Sequence, residues 1–540
     1  MYHRRSRATP ALVTLATLAA CTTDSYVADA DDEVAHTLRH ATEQVLGGRD
    51  SWVVQPALAA PPPVVEQPTE PGVAPPPEPP PPVPATTGPV DVLDLQAALA
   101  IAVAQNRDYL SRRESLYREG LSITLTRFQF GPQFEAAVTY LWPRGQGGFE
   151  SQRSGTTFSG SQILPTGGRF GVTAAVDADW PHDRGGTDDP MFGSNVGVSL
   201  TQPLLRGAGY EVSHEALTQG ERSLVYSIRD FELYRENFTI QVSQRFFALA
   251  SQRKTLANED ANYASALFDR QKAEALQQVG RSAELDVFRA RRQEIEAKDR
   301  VINLRAAYDR AVDEFKILLG VPTTASIDIA DIEPPYEPAR FEVSSAIAAA
   351  LHNRLDLITQ RQSLEDSERS LRIAENNLLP DLTLNANYGL TGVDDRLDGA
   401  VPDSWGSSVG LSFEIPLQRK SQRNSYRSAL ISLEQARRDL KLREEQLELD
   451  IRDAVRNLRS LEERIVLQEG QIKQEKRAVT VTEIRYESGT VENRDLLEAK
   501  QAYTDAQNAL IQLKVEHFVA RLNLLKDMGV FFVDDKGMWR

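Results

Sequence analysis

Residues 485–503 read RYESGTVENRDLLEAKQAY, and residues 276–294 carry a weaker copy, LQQVGRSAELDVFRARRQE. The offset between the copies is 209 residues throughout, so Gly280 aligns with Gly489. The offset persists to the ends of the segments, where FKILLG and LLKDMG each close on a glycine. In both copies a glycine and an acidic residue precede a helical pattern, which predicts a turn between two helices. The chain therefore contains one helix–turn–helix segment twice.

The duplication extends over most of the chain. A helical pattern opens the two halves near Leu93 and Glu342, and strands that alternate between apolar and polar residues follow in each half. The first strand of each half has one apolar face, made of Phe134, Ala136, Val138, Tyr140 and Trp142 or of Leu382, Leu384, Ala386, Tyr388 and Leu390. Prolines mark the changes between helix and strand because proline lacks the amide donor. These junction residues are Pro132, Pro203, Pro380 and Pro416.

Two very long helices are predicted after the return strands, over residues 204–278 and 417–487. Each would measure about 105 Å at 1.5 Å per residue. Apolar residues between Leu440 and Val479 follow three-, four- and seven-residue spacings, which are typical of a coiled coil. We therefore predict a mainly α fold with β strands, built from a duplicated helix–strand–strand–helix unit. The few strands of one chain cannot close a barrel, so several copies would have to share strands, because open edges are not tolerated in lipid.

The composition excludes several classes of function. The formal net charge of −16 argues against nucleic acid as a partner, since phosphate binding requires a basic surface. No P-loop, Gly-x-Ser-x-Gly or His-Glu-x-x-His motif is present, so we expect no enzyme and no cofactor or metal site. No run of 18 apolar residues occurs downstream of the N-terminal region, so no ordinary transmembrane helix is predicted.

The N-terminal region has the pattern of a bacterial export signal. Three arginines precede the apolar run ALVTLATLAA, and residues 1–20 are interpreted as a signal peptide. The only cysteine, Cys21, ends the sequence LAAC, which resembles a lipobox whose cysteine becomes the acylated first residue. An ordinary signal peptide followed by a chance cysteine is the alternative. Residues 21–89 would then be a lipidated N-terminus and a proline-rich linker, because 14 of the 29 prolines lie in residues 61–89 and predict an extended spacer.

From about Val90 to Gly529 the chain resembles the TolC-type outer-membrane efflux protein family, in its lipoprotein form. The motifs that carry the resemblance are LPDLTLNANY, TQPLLRGAG, IRYESGTVENRDLLEAKQAYTDAQNAL and the duplicated glycine-to-glycine segments. Each is weak alone, but their order, spacing and duplication together are specific. The resemblance implies a homotrimer whose β-barrel of twelve shared strands continues into a long α-helical coiled-coil barrel. It also implies a position in the outer membrane of a Gram-negative bacterium, with the helical part in the periplasm.

The implied function is that of an exit duct in a tripartite efflux or type I secretion system. The partners would be a periplasmic adaptor and an inner-membrane pump of the RND or ABC type. The implied division is a first repeat over residues 90–321, a connector over 322–340, a second repeat over 341–530 and a tail over 531–540. Two alternating segments, about residues 154–163 and 168–180, depart from the family pattern. They are either additional barrel strands or a hairpin that stands outside the membrane.

The resemblance also implies the residues of a gate. Asp495 and Glu498 lie three residues apart on one helix face, where the family carries rings of carboxylates at a tip constriction. A solvated acidic face is the alternative. Asp286 and Tyr486 match the aspartate and tyrosine that latch the closed tip. The arginine that often joins this latch aligns with Val491 here, and Arg494 lies three residues further on.

Three other interpretations complete the predictions. Gly280 and Gly489 are expected to be turn glycines exposed to the adaptor. Trp142 and Trp180 lie near strand ends, either in an aromatic girdle or packed under loops. The competing function is a lipid-anchored coiled-coil rod between the outer membrane and the cell wall, which accounts for the lipobox, the linker and the heptads but not for the duplicated strands.

Overall fold

The computed structural model describes residues 23–46, 92–141, 150–182, 190–280, 283–338, 340–488 and 490–539. Cys21, Trp142 and Gly489 lie outside these residues. The described residues form two compact units. The first unit draws on Met1–Gln55, Ser115–Ile228 and Thr359–Lys441, and the second on Pro56–Glu114, Arg229–Ile358 and Leu442–Arg540. Each unit therefore combines parts of both sequence halves.

The helices and strands follow the predicted order in both halves. In the first half they are α1 (Thr23–Leu46), β1 (Val92–Leu93), α2 (Leu95–Gln105), α3 (Arg107–Phe130), β2 (Gln133–Leu141), β3 (Glu150–Ile163), β4 (Arg169–His182), β5 (Met191–Pro203), α4 (Tyr210–Ser213), α5 (Glu215–Gln278), α6 (Glu284–Leu319) and β6 (Asp328–Ile329). In the second half they are α7 (Val343–Asn353), α8 (Leu355–Asn376), β7 (Asp381–Asp394), β8 (Ser404–Glu414), α9 (Lys420–Glu487) and α10 (Asn493–Asp527). Within the described ranges, no helix is both long and apolar enough to cross a membrane.

The opening helix of each half is interrupted, although the sequence pattern predicted a continuous one. Asn106 lies at the first break, where its Oδ1 accepts a hydrogen bond from the Tyr109 amide at 2.8 Å and its Nδ2 donates to the Leu318 carbonyl at 2.7 Å. The side chain thereby caps α3 and ties it to the end of α6. Arg354 lies at the second break and places its Nη1 3.2 Å from Asp527 at the end of α10. The two interruptions thus hold the opening helices to the returning ones.

The glycines that end the duplicated segments pack against these interruptions. Gly320 and Gly529 have positive φ angles of 79° and 68°. A Cβ atom on Gly320 would lie 2.2 Å from the Gln105 carbonyl oxygen, and one on Gly529 would lie 2.8 Å from the Asn353 carbonyl carbon. Both positions therefore require glycine for the backbone conformation and for the close approach of another helix.

The six long strands form one antiparallel sheet in the first unit, in the order β2–β3–β4–β5–β7–β8. The register places apolar residues of neighbouring strands side by side on one face. Ala174, for example, lies between Phe158 and Val196. The apolar face includes Val138, Phe158, Val172, Val198, Tyr388 and Val409, and the polar face includes Glu135, Arg153, Asp179, Asn195, Asn387 and Ser408. The two segments that depart from the family pattern are strands β3 and β4 of this sheet.

The helix α1 was not predicted, because residues 21–89 were interpreted as a lipidated terminus and linker. It packs on α3 in the first unit. Val34 is completely buried there, and a Cβ atom on Gly120 would lie 2.8 Å from its Cγ1 atom. The Tyr117 hydroxyl donates a hydrogen bond to Asp31. Burial is the larger cause of the raised pKa of Tyr117, and this hydrogen bond is the second. The segment that follows Cys21 thus contains a packed helix, with Val34, Leu38 and Ala41 on its buried face.

The second unit contains the aromatic core. Phe246 and Phe315 are buried between α5 and α6, and Phe518 of α10 packs on Phe247. The short strands β1 and β6 pair in parallel and bring the connector onto this core. The C-terminal residues also pack here, because Arg235 donates to the carbonyl oxygen of Asp534 at 2.8 Å. The end of the described chain is therefore part of this unit's packing.

Candidate functional site

The turns between the long helices and the returning helices form the candidate tip. Gly280 has a positive φ of 73°, and its amide donates to the Gln277 carbonyl at 2.9 Å. At the second turn the Thr490 amide donates to the Arg485 carbonyl at 2.9 Å and ends α9. Gly489 lies outside the described residues, so only the first of the two predicted turn glycines can be described. Both turns lead directly into a helix whose first turn carries aspartate.

The two predicted latch residues both lie in the second unit, where the charge of Asp286 acts on the Tyr486 phenol. Tyr486 is half-buried near the end of α9, and the Nζ of Lys272 lies 5.5 Å from its ring centre. Burial raises the pKa of the Tyr486 phenol, and the negative charges of Asp286 and Asp269 raise it further. Asp286 itself lies 3.6 Å from Arg289. The phenol is therefore kept protonated and able to donate a hydrogen bond toward the acidic residues of α5 and α6.

Asp495 and Glu498 lie in the first turns of α10, together with Arg494, which lies three residues beyond the position that aligns with the latch arginine. The Nη2 of Arg494 is 3.5 Å from Asp495, and its Nε is 3.6 Å from Glu498. All three side chains are largely exposed, so each attraction is weak in water. Arg494 of the same chain therefore partly compensates the negative charge of the two carboxylates.

A polar cleft runs between α6 and α10 behind the tip, with a volume of about 430 Å³. Its charged lining consists of Arg289, Arg292, Arg300, Arg494, Glu296, Glu498 and Asp505. Arg289 also lies 3.0 Å from Glu492, which precedes α10. The sequence pattern did not single out Arg289, Arg292 or Arg300, because their spacing is that of an ordinary solvated helix face.

One ion pair at the tip is largely buried. The Nζ of Lys500 lies 2.8 Å from Asp269 and 3.0 Å from the Ser265 hydroxyl. The Asp269 side chain is only 8% exposed, so removal of Lys500 would leave a buried carboxylate without its cation. This pair joins α5 to α10 and was not predicted from the sequence.

The remaining predicted residues lie in the first unit. Trp180 is on the apolar face near the end of β4, and its ring meets Phe192 edge-on at 6.3 Å. The four junction prolines lie between a helix and a strand or at the end of a strand: Pro132 precedes β2, Pro203 ends β5, Pro380 precedes β7 and Pro416 follows β8. They separate the apolar-faced sheet from the helices.

The long helical hairpins, together with an antiparallel sheet that is apolar on one face, are the features of an outer-membrane channel fold. The outer membrane protein VceC from Vibrio cholerae has the same fold, with a TM-score of 0.61, 16% identity, and coverage of 81% of this chain and 96% of that chain. The CmeC outer membrane channel of Campylobacter jejuni gives a TM-score of 0.61 at 16% identity, over 81% of this chain and 85% of that chain. The predicted fold class is therefore confirmed.

The family follows from the sequence comparisons. The sequence model of the family "Outer membrane efflux protein" matches residues 346–530. Outer membrane protein TolC of Salmonella enteritidis is 23% identical over 378 residues, which cover 67% of this chain and 74% of the relative. TolC of Escherichia coli (strain K12) is 23% identical over 387 residues, with 67% and 75% covered. The second half of the chain thus matches the outer membrane efflux protein family, and two thirds of the chain are similar to TolC, in agreement with the resemblance of its motifs.

Two predictions follow from this relationship and are confirmed by it. The chain is grouped with outer-membrane channels and not with enzymes. Its relatives are outer membrane proteins of Gram-negative bacteria, and the predicted location in the outer membrane agrees with theirs.

Proposed function

We propose that this outer-membrane efflux protein is the passive exit duct of a tripartite efflux or type I secretion system. Three copies would share their strands in one barrel and continue into a helical tunnel in the periplasm. A periplasmic adaptor would connect this tunnel to an inner-membrane pump of the RND or ABC type. The observation that carries the proposal is the sheet of the first unit, which is apolar on one face and polar on the other. Such a surface suits lipid outside and water inside.

The edges of the sheet support assembly with other copies. Strands β2 and β8 each have a neighbour strand on one side only, within the residues that the structure describes. An open strand edge in hydrocarbon leaves backbone groups without hydrogen bonds, which costs several kcal/mol for each group. Pairing of β2 of one copy with β8 of the next would satisfy them.

The N-terminal region would add an anchor. Acylation of Cys21 would tether the chain to the outer membrane, in addition to the strands. Residues 1–20 would be removed as a signal peptide. The proline-rich linker would then connect the lipid anchor to the repeat that begins near residue 90. The repeats over residues 90–321 and 341–530, the connector over 322–340 and the tail over 531–540 are part of the same proposal.

The gate would lie at the tip. Threefold symmetry would gather three copies of Asp495 and Glu498 into a ring that attracts cations. The proximity of Tyr486 to Asp286 supports a latch that holds α5, α6 and α9 together in the closed state. Adaptor contact at the turns predicted for Gly280 and Gly489 would then act on the latch.

We expect the double variant Asp286→Ala, Tyr486→Phe to enlarge the conductance of the channel several-fold. It removes the carboxylate and the hydroxyl that would form the latch in the closed state, so the closed state would lose stability relative to the open one. Single-channel recordings of the purified protein in planar bilayers measure this effect. Tyr308→Phe, on α6 but away from the tip, serves as the matched control.

Two outcomes of these recordings would argue against the proposal. Equal conductance in the double variant and the parent would refute the latch but leave the duct in place. Absence of any conductance from folded protein would refute the duct and favour the lipid-anchored rod between membrane and cell wall. The rod, however, would not explain why the sheet has one apolar face.

We expect Asp495→Ala with Glu498→Ala to lower the cation-to-anion permeability ratio by roughly threefold or more, because the ring loses its negative charge. Arg494→Ala should change the ratio in the opposite direction, since Arg494 lies within 3.6 Å of both carboxylates. Reversal potentials in a salt gradient measure both. A solvated acidic face that does not line the pore predicts no change in either variant, and that result would refute the ring.

A further inference from the structure

The hairpin of β3 and β4 is the feature of the sheet that the proposed function does not explain. We infer that this hairpin is embedded in the membrane as part of the barrel wall, so that each copy contributes six strands and three copies form a barrel of eighteen. The strand count rests on the trimer of the proposed function, whereas the membrane position of the hairpin rests on the sheet itself.

The hairpin runs alongside the full length of its neighbours. β3 pairs with every residue of β2, from Gln133 opposite Ser161 to Leu141 opposite Arg153. β4 continues the ladder on the other side and pairs with β5 from Arg169 to Asp179. A hairpin outside the membrane would project beyond the end of the sheet, whereas this one lies within it.

The turn of the hairpin is at the helix-proximal end of the strands. The side chain of Gln202, next to the last residue of β5, donates to the Thr166 carbonyl at 3.1 Å and accepts from the Thr166 hydroxyl at 2.7 Å. Leu164 and Gly168 close the turn with a 2.7 Å backbone hydrogen bond. The turn between β3 and β4 therefore lies beside the helix-proximal end of β5. As a result, β3 and β4 extend along the full length of the strands of the sheet.

The side chains of β4 alternate as lipid-facing and water-facing residues do. Its residues on the apolar face of the sheet are Phe170, Val172, Ala174, Val176, Ala178 and Trp180. Its residues on the polar face include Arg169, Thr173, Asp177 and Asp179. Alternation of this kind is the pattern of a transmembrane β-strand. It continues the apolar face that Val196, Val198 and Leu200 of β5 provide, whereas on β3 the same face carries Phe158 together with Ser154, Thr156 and Gln162.

The strands are also long enough. β3 and β4 have 14 residues each. At about 3.3 Å per residue and a tilt of about 40°, such a strand spans about 35 Å along the membrane normal, more than the hydrocarbon core of about 30 Å. On the polar face, Arg153 of β3 and Asp179 of β4 form an ion pair at 3.0 Å, which lipid would not tolerate but a water-filled lumen would.

The additional strands would widen the outer part of the duct. The diameter of a barrel grows nearly in proportion to its strand number. With a strand spacing of about 4.8 Å and a tilt of about 40°, eighteen strands give a backbone diameter of about 36 Å, compared with about 24 Å for twelve. The hairpin thus enlarges the exit for bulky substrates and adds charged residues to its lining.

The test is the accessibility of single cysteines in protein reconstituted into phosphatidylcholine liposomes. Val172→Cys and Thr173→Cys probe the two faces of β4 in a Cys21→Ser background, and Leu384→Cys and Asn385→Cys probe β7 as matched controls. We expect a charged maleimide to label Val172→Cys and Leu384→Cys at least roughly tenfold more slowly than their polar-face neighbours, because hydrocarbon excludes the reagent.

The controls separate failure of the inference from failure of the proposed function. Rapid labelling at Val172→Cys with protection at Leu384→Cys would place the hairpin outside the membrane and overturn the inference alone. Rapid labelling at both would mean that the sheet is not in lipid, which overturns the duct as well. Electron cryomicroscopy of the detergent-solubilised oligomer then counts the strands. Six strands from each of three copies support the inference, and any other count of strands in the barrel wall overturns it.

Discussion

Replacement of Gly320 by alanine is expected to destabilise the protein by about 3 kcal/mol or more. The backbone there has a φ of 79°, a left-handed conformation that costs a residue with a side chain about 1–2 kcal/mol. The new Cβ atom would also lie 2.2 Å from the carbonyl oxygen of Gln105. Because that atom belongs to the backbone, relief of the clash requires α2 and α6 to separate, which adds the cost of overpacking.

Gly280→Ala is the matched control for this prediction. Gly280 has nearly the same φ, 73°, but a Cβ atom there would meet nothing within 4 Å. We expect a loss of only about 1 kcal/mol, from the backbone conformation alone. Denaturant unfolding followed by circular dichroism compares the two variants. Equal destabilisation would mean that the close approach to Gln105 contributes nothing to the requirement for glycine.

Replacement of Glu236 by glutamine is expected to stabilise the protein at pH 8. Glu236 is 5% exposed on α5, and its Oε2 has no hydrogen-bond partner within the described part of the chain. Burial and, to a lesser extent, the charge of Glu232 raise the pKa of this carboxyl to about 8, against the opposing effect of Lys526, Arg235 and Arg354. The folded protein therefore keeps a proton that the unfolded chain has already released at neutral pH.

The sign of the pH dependence follows from this difference in proton binding. The contribution of Glu236 to stability is fully present below pH 4.5, the ordinary pKa of the group, and is lost as the pH rises from 4.5 to about 8. The loss is on the order of 4 kcal/mol over that window. Glu236→Gln cannot ionise, so it should remove this decline and exceed the parent in stability at pH 8. Unfolding free energies measured at pH 5 and pH 8 test both statements.

Glu232→Gln provides the contrasting control. Glu232 lies 2.7 Å from Arg235, and both side chains are at most 10% exposed. Loss of this carboxylate weakens the compensation of a buried guanidinium and should destabilise the protein by about 3 kcal/mol. If Glu236→Gln also destabilises at pH 8, then Glu236 is ionised and paired in the folded protein, and the prediction is wrong.

The candidate tip could be predicted only in part from the sequence. The repeated glycine–acid–helix segment predicted the two turns, and the family resemblance implied Asp286, Tyr486, Asp495 and Glu498 as gate residues. Two positive residues of the cleft behind the tip, Arg289 and Arg292, were missed, since they have the spacing of any solvated helix surface. Their role depends on which helices pack side by side, and no local pattern contains that information.

The buried charges show the same limit. Glu232, Arg235 and Glu236 are three and four residues apart on a long helix, a pattern usually typical of a solvent-exposed face. They are 3–7% exposed because Val533 and Asp534 of the C-terminal region pack over this part of α5, with Arg235 donating to both carbonyls. Almost 300 residues separate these partners along the chain, so only the folded molecule brings them together.

The sequence by itself determined the duplication, the type and order of the helices and strands of both repeats, and the apolar face of each predicted strand. These features depend on local periodicity and on proline and glycine, which act over a few residues. The tertiary structure alone decided that β3 and β4 belong to the sheet, that α1 packs on Gly120, that Gly320 must remain glycine and that Glu236 is buried. Each of these depends on contacts between segments that are distant along the chain, and such contacts leave no periodic trace in the sequence.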